Sequence, residues 1–148
     1  MDGFGTAMLD LMPRQRPVAR TAESEKITIN LGCVDLGHVD LLVAEGVYGN
    51  RTDFIRTAIR REIDRHAEIT RQSVARKKVE LGLRSIDRAE LEEARATGRA
   101  LDIRVLGLVS IASDVTPDLA RETIASLEVL GSLQASPAVR AALADRLR

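Results

Sequence analysis

The 148-residue sequence predicts an α+β protein that is mainly helical. It has one short strand and two helices towards the N-terminus, followed by a C-terminal region of strand–helix repeats. Three observations predict this. Residues 26–31 alternate polar and apolar side chains at period two. Apolar residues then recur at helical spacing from Leu36 to Ile63. Beyond residue 100, apolar runs carrying Val-Leu-Gly are each followed by Thr-Pro or Ser-Pro, a pairing that marks helix starts.

The strand is "KITINL", Lys26 to Leu31. Ile27, Ile29 and Leu31 form its dry face, and Lys26, Thr28 and Asn30 its wet face. Leu36, Val39, Leu42 and Val43 then share one stripe, which predicts a helix from about Asp35 to Glu45, with Gly46 in the position of a helix-ending glycine. Asn50 is a good N-cap, and Asp53 three residues on completes a capping-box-like arrangement. Ile55, Ile59 and Ile63 follow at i, i+4 and i+8, with Phe54 and Ala58 beside them. Arg56, Arg60 and Arg61 on the same helix read as a solvated face, with Arg60 and Arg61 also able to steer towards phosphate. No Gly or Pro interrupts from Arg51 to Leu81, so this second helix is expected to run long. Asp87 with Glu90 opens a further short helix that Gly98 ends.

In the C-terminal third, Val-Leu-Gly occurs at 105–107 and 129–131, and Thr116-Pro117 and Ser136-Pro137 follow. Each unit reads as a strand, an N-cap with proline at N1, and a short helix. The organisation expected is a flexible arm over 1–23 with a short helical turn near Met8 to Met12, a strand–helix–helix module over 24–66, a helical extension or linker over 67–82, and a strand–helix region over 83–148 serving oligomerisation or partner binding.

Composition narrows the classes. Hydrophobic residues are 45% and aromatics 2%, so the core must be aliphatic. Basic and acidic residues balance at 22 each, and bulk charge favours no partner. Local charge is more telling: Arg51 to Lys78 holds nine Lys/Arg against four Asp/Glu, a net of +5. The lone cysteine, Cys33, excludes a disulfide within the chain and suits a reducing compartment. No apolar run approaches the roughly 18 residues of a membrane helix, and no secretory pattern is evident. The expected location is the cytoplasm, with no membrane partner.

A strand cannot stand alone, because its N–H and C=O groups require partners. The economical solution pairs Ile27–Leu31 of one subunit antiparallel with the same segment of another. The dimer core would then hold Ile27, Ile29 and Leu31 of both chains over Leu36, Val39, Leu42, Val43, Phe54, Ile55, Ala58 and Ile59. The opposite face would present Lys26, Thr28 and Asn30 twice. The major groove of B-DNA, about 12 Å wide, admits such a ribbon. Lys can donate to guanine, Asn can pair with adenine, and Thr can bond or touch a thymine methyl, so these three are the candidate base-reading residues.

In order and spacing, "KITINL", the Leu36/Val39/Leu42 stripe and "YGNRTDFIRTAIRREI" resemble the ribbon-helix-helix family of bacterial DNA-binding regulators, the class that includes Arc, MetJ and CopG. The resemblance covers Ser24 to His66. It implies an obligate homodimer, a ribbon in the major groove, and phosphate contacts from Gly49, Asn50, Arg51 and Thr52 at the start of the second helix. Helix N-termini bind anions through unpaired N–H groups, which supports that last role. One departure is "LGCVDLGHVD", where Gly32 and Gly37 replace the commoner Leu-Pro-acid-acid opening and predict a late or soft start to the first helix.

The resulting expectation is a sequence-specific transcriptional regulator, a repressor on double-stranded DNA of the nucleoid, that is not an enzyme and has no cofactor. Self-association through 83–148 would join dimers. Three rivals are an antitoxin whose C-terminal region binds a toxin, an assembly-forming structural protein tethered to DNA, and a metal-responsive regulator. Cys33, His38 and His66 lack metal-site spacing. No nucleophile elbow, phosphate loop or paired-carboxylate pattern suggests catalysis.

Overall fold

The structure, a computed structural model, describes residues 24–148; the arm and the Met8–Met12 turn lie outside the described residues. Among these residues it contains six helices and a three-stranded parallel sheet. The order is α1 (Cys33–Ala44), α2 (Arg51–Arg65), α3 (Ala67–Lys77), β1 (Glu80–Ile86), α4 (Arg88–Ala96), β2 (Leu101–Ile111), α5 (Pro117–Thr123), β3 (Ile124–Gln134) and α6 (Pro137–Ala142).

The helix ends follow local chemistry. After α1 the Gly46 N–H donates to the Val43 carbonyl and the Val47 N–H to the Leu42 carbonyl, with Gly46 at φ +75°. This Schellman closure requires a left-handed residue, and glycine adopts that conformation without a Cβ penalty. Gly98 closes α4 in the same way. Contrary to the soft start expected, α1 begins at Cys33. Gly32 takes the extended N-cap conformation, and its carbonyl accepts from the Leu36 N–H at 3.0 Å. The long second helix is instead broken at His66, which caps α2 and precedes α3. α3 then ends at Lys78, a non-glycine residue in the left-handed region.

The sheet has strand order β1-β2-β3. Glycines align across it, Gly82 beside Gly107 and Gly107 beside Gly131, as do Leu81, Leu106 and Leu130. Each strand is followed by a helix with a side-chain N-cap. Asp87, Thr116 and Ser136 accept from the N–H groups of Glu90, Leu119 and Val139. Pro117 and Pro137 occupy the first turns of α5 and α6, where a missing N–H costs nothing. β1 has no place in the sequence-based expectation. It lies across residues assigned there to the linker and to the C-terminal region.

The core sits between the sheet and α4, α5 and α6. It includes Ile86, Leu91, Val105, Val109, Leu119, Ile124, Leu127 and Leu143. The helical half is different. Val39 is the one buried residue of α1, and α2 and α3 bury none. Residues 24–66 of a single chain therefore do not enclose an apolar interior.

Candidate nucleic-acid interface

Ser24 to Leu31 precedes α1 as an exposed segment. Among the described residues its backbone joins no ladder and makes no backbone hydrogen bond. Lys26, Thr28 and Asn30 are all exposed, and so are Ile27, Ile29 and Leu31, at 73%, 55% and 43%. Leaving a row of isoleucines in water forfeits about 1.5–3 kcal/mol per side chain relative to burial. Ser24, Glu25 and Ile27 line a groove with the glycine row and with Leu83, Leu108 and Ser132. Among the described residues, no backbone hydrogen bond ties them to the sheet.

The remaining expected core residues form a graded surface. Val39 is buried, while Leu36, Leu42, Val43, Phe54 and Ile55 are half-buried. Ala58 and Ile59 are exposed. The apolar stripes of α1 and α2, like the isoleucines of the preceding segment, are thus left largely uncovered in the single chain.

The start of α2 is built by its cap. Asn50 Oδ1 accepts from the Asp53 N–H at 2.9 Å. Asp53 Oδ2 in turn accepts from the Gly49 N–H at 3.0 Å, so the carboxylate is turned back onto the entering chain. Tyr48 and Phe54 meet edge to face across the cap, ring centroids 5.1 Å apart, and fix the entry angle. Asn50, Thr52, Asp53, Arg56 and Arg60 line one open cleft. Thr52, Arg56 and Arg60 are spaced four apart and so share a helix face. Among the described residues, neither Arg56 nor Arg60 has a carboxylate partner. The sequence alone reads Arg56 as a solvated face and Arg60 as solvated or steering towards phosphate; their i, i+4 spacing from Thr52 is the signal that groups them.

Arg51 is engaged differently. Its Nε and Nη2 donate to the two carboxylate oxygens of Asp40, both at 2.7 Å. This fork ties α2 to α1. The hydrogen bond from Arg51 lowers the Asp40 pKa below its ordinary value; desolvation opposes it, and the guanidinium charge adds a smaller lowering. The same bond raises that of Arg51. The pair is therefore intact at neutral pH and is lost as acidification takes Asp40 through its lowered pKa. The Gly49 N–H is occupied by Asp53, and the Arg51 and Thr52 amides stand at the helix start, where no preceding turn supplies an acceptor.

Residues 22–140 match the family model described as the Ribbon-Helix-Helix transcriptional regulator family. The chain belongs to this family. The match begins before the exposed segment and runs into α6, so the parallel sheet lies within the family region together with the ribbon-helix-helix segment. No curated protein and no solved structure matches the chain. A transcriptional regulator is the reading the family gives, and it is not an enzymatic one. No described helix is long and apolar enough to cross a membrane. Cys33, His38 and His66 are not gathered; among the described residues no cluster of three or more His, Cys, Asp or Glu could hold a metal.

Proposed function

We propose that the protein is a sequence-specific DNA-binding repressor acting as a homodimer, in which the Lys26–Leu31 segments of two chains pair as an antiparallel ribbon. The observation that carries this reading is the exposed, unladdered segment joined to a helical half that buries one side chain. A second copy supplies both missing elements, hydrogen-bond partners for the segment and cover for Ile27, Ile29 and Leu31. Across the new interface lie Leu36, Val39, Leu42, Val43, Phe54, Ile55, Ala58 and Ile59.

The ribbon's other face then carries Lys26, Thr28 and Asn30 into the major groove. Each true base contact discriminates by about 1–3 kcal/mol. The N-terminus of α2 takes the flanking phosphate, through the Arg51 and Thr52 amides and the Thr52 side chain with Arg56 and Arg60 alongside. Arg51, anchored by Asp40, keeps that turn in register with α1 while its outer edge faces the backbone. Occupying an operator excludes other proteins from the same groove, and repression is the simplest output. The reading places the protein on DNA in the cytoplasm.

A second reading has one observation in its favour. Ser24, Glu25 and Ile27 share the groove over the glycine row, so this segment could cover its own chain's sheet. Ile27 remains 73% exposed there, and that arrangement leaves the apolar surface of α1 and α2 uncovered.

The phosphate role is tested by salt dependence. Arg56→Ala or Arg60→Ala should weaken binding to preferred and random DNA alike. Removing one phosphate interaction should lower the slope of log affinity against log salt by about 1, hence about 2 per dimer. Fluorescence anisotropy over a salt series measures it. An unchanged slope for both variants would remove the two arginines from the interface.

A further inference from the structure

The two outer edges of the sheet are treated unequally. Along β3 the edge is covered at two points, Leu127 and Leu133. The Leu127 N–H donates to the Arg146 carbonyl at 3.0 Å, and the Arg148 N–H donates to the Leu127 carbonyl at 3.1 Å. Further along, the Arg140 guanidinium donates to the Leu133 carbonyl. Along β1 no such cover exists among the described residues. The Ile86 carbonyl accepts from the Ala112 N–H, on the β2 side. Strand alternation therefore turns the N–H and C=O groups of Leu81, Leu83 and Ser85 outward. Leu81 and Leu83 are 64% and 57% exposed. An uncovered edge with apolar side chains is a template for another strand.

The sequence of that edge specifies its partner. "ELGLR", Glu80 to Arg84, is symmetric in chemistry about Gly82. If two copies run antiparallel with Gly82 facing Gly82, Glu80 of one lies opposite Arg84 of the other and Leu81 lies opposite Leu83. Opposite charges and apolar pairs in those positions each favour pairing. The hydrogen-bond pattern agrees. In this register the residues that exchange N–H and C=O are Leu81 and Leu83, the two turned outward, while Gly82 falls at a non-hydrogen-bonded pair.

Arg84 adds an independent observation. Its Nη2 donates to Glu90, yet its buried Nε has no hydrogen-bond partner. Glu80 of the same chain stands 3.5 Å from that nitrogen without making the bond. In the antiparallel register Glu80 of the facing strand stands opposite Arg84 and adds a second carboxylate beside the guanidinium. Head-to-tail stacking of β3 on β1 would continue the sheet in parallel, but the cover along β3 opposes it. A two-fold pairing closes on itself.

We infer that β1 is a self-pairing edge, through which two copies of this chain join their three-stranded sheets into one six-stranded sheet about a two-fold axis at Gly82. This goes beyond the DNA-binding reading and does not require it. The experiment is hydrogen exchange on the full-length protein, read for the amides of Leu81 and Leu83. They should exchange at least about tenfold more slowly than free edge amides. Leu83→Lys and, separately, Glu80→Arg should restore fast exchange there while the amides of β2 stay protected. A nitroxide on Ser85→Cys, in a Cys33→Ser background, should report a second copy at about 20 Å, six residues of strand rise. Free exchange at Leu81 and Leu83 in the unaltered protein, protection that survives Leu83→Lys, or no inter-copy distance would each overturn the inference. Loss of protection confined to residues 25–31 would count against the ribbon and leave the β1 pairing standing.

Discussion

Ile29→Asp should abolish dimerisation of the ribbon and, with it, DNA binding. In the single chain Ile29 is 55% exposed, so the substitution removes little from the fold of one subunit. In the proposed dimer two copies of Ile29 are covered at the centre of the interface. Losing both forfeits about 3–6 kcal/mol of apolar burial, from about 1.5–3 kcal/mol for each side chain. A carboxylate in that position adds a desolvation penalty. The dimer dissociation constant should rise at least about a hundredfold, which corresponds to roughly 2.7 kcal/mol. Sedimentation equilibrium, run with and without Ile29→Asp in a Leu83→Lys background so that β1 pairing does not contribute, reads the assembly, and a mobility shift reads the DNA. Far-ultraviolet circular dichroism should show the C-terminal sheet and its helices intact, because their core is formed without the ribbon. A variant that keeps its affinity would show that the segment is not in an interface.

Gly131→Ala should be the most damaging single substitution in the sheet. Gly131 has φ +135°, and a Cβ there would run into the carbonyl oxygen of Gly107. Gly107 stands in the same relation to the carbonyl of Gly82, at φ +142°. The colliding atoms are backbone within a paired ladder, so no side chain can swing aside. Backbone strain of about 1–3 kcal/mol adds to overpacking of similar size, which gives a loss of about 3 kcal/mol or more. Gly82→Ala is the control. Its φ is +103°, but a Cβ meets nothing within 4 Å in the single chain, so with β1 pairing blocked by Leu83→Lys in all three variants only the conformational cost applies. Urea unfolding should place Gly107→Ala and Gly131→Ala well below Gly82→Ala. Equal losses at all three would mean that the close approach of the strands is not what selects glycine.

Much of the local structure is legible in the sequence because local chemistry sets it. Gly46 and Gly98 end helices where a left-handed residue is needed. Asn50 with Asp53, Thr116 with Pro117 and Ser136 with Pro137 begin helices by satisfying orphan amides or dispensing with one. What escapes depends on distant partners. β1 is short and carries Glu80 and Arg84, so on its own it gives no strand signal. Its echo is present, since "LGLRSI" and "LGLVSI" differ at one position and stand side by side in the sheet. The break at His66 and the stop at Lys78 carry no Gly or Pro. The Arg51–Asp40 fork joins residues eleven apart through a turn, which residue spacing alone does not reveal.

The same division holds for the candidate interface. Lys26, Thr28 and Asn30 are candidates by alternation, a period-two pattern legible in the sequence although the segment forms no strand in the single chain. Arg56 is not separated in sequence from an ordinary solvated arginine, and Arg60 is only one of two arginines able to steer towards phosphate. Their significance comes from sharing a cleft with Thr52 and from forming no ion pair among the described residues, both three-dimensional facts.

Selection of bound sequences from random duplex DNA, run in parallel on the unaltered protein and on Lys26→Ala/Thr28→Ala/Asn30→Ala, tests the ribbon's reading role most directly. The unaltered protein should enrich a motif with two-fold symmetry, and the triple variant should still retain DNA yet enrich none. Enrichment of the same motif by both proteins, or of none by either, would contradict the account.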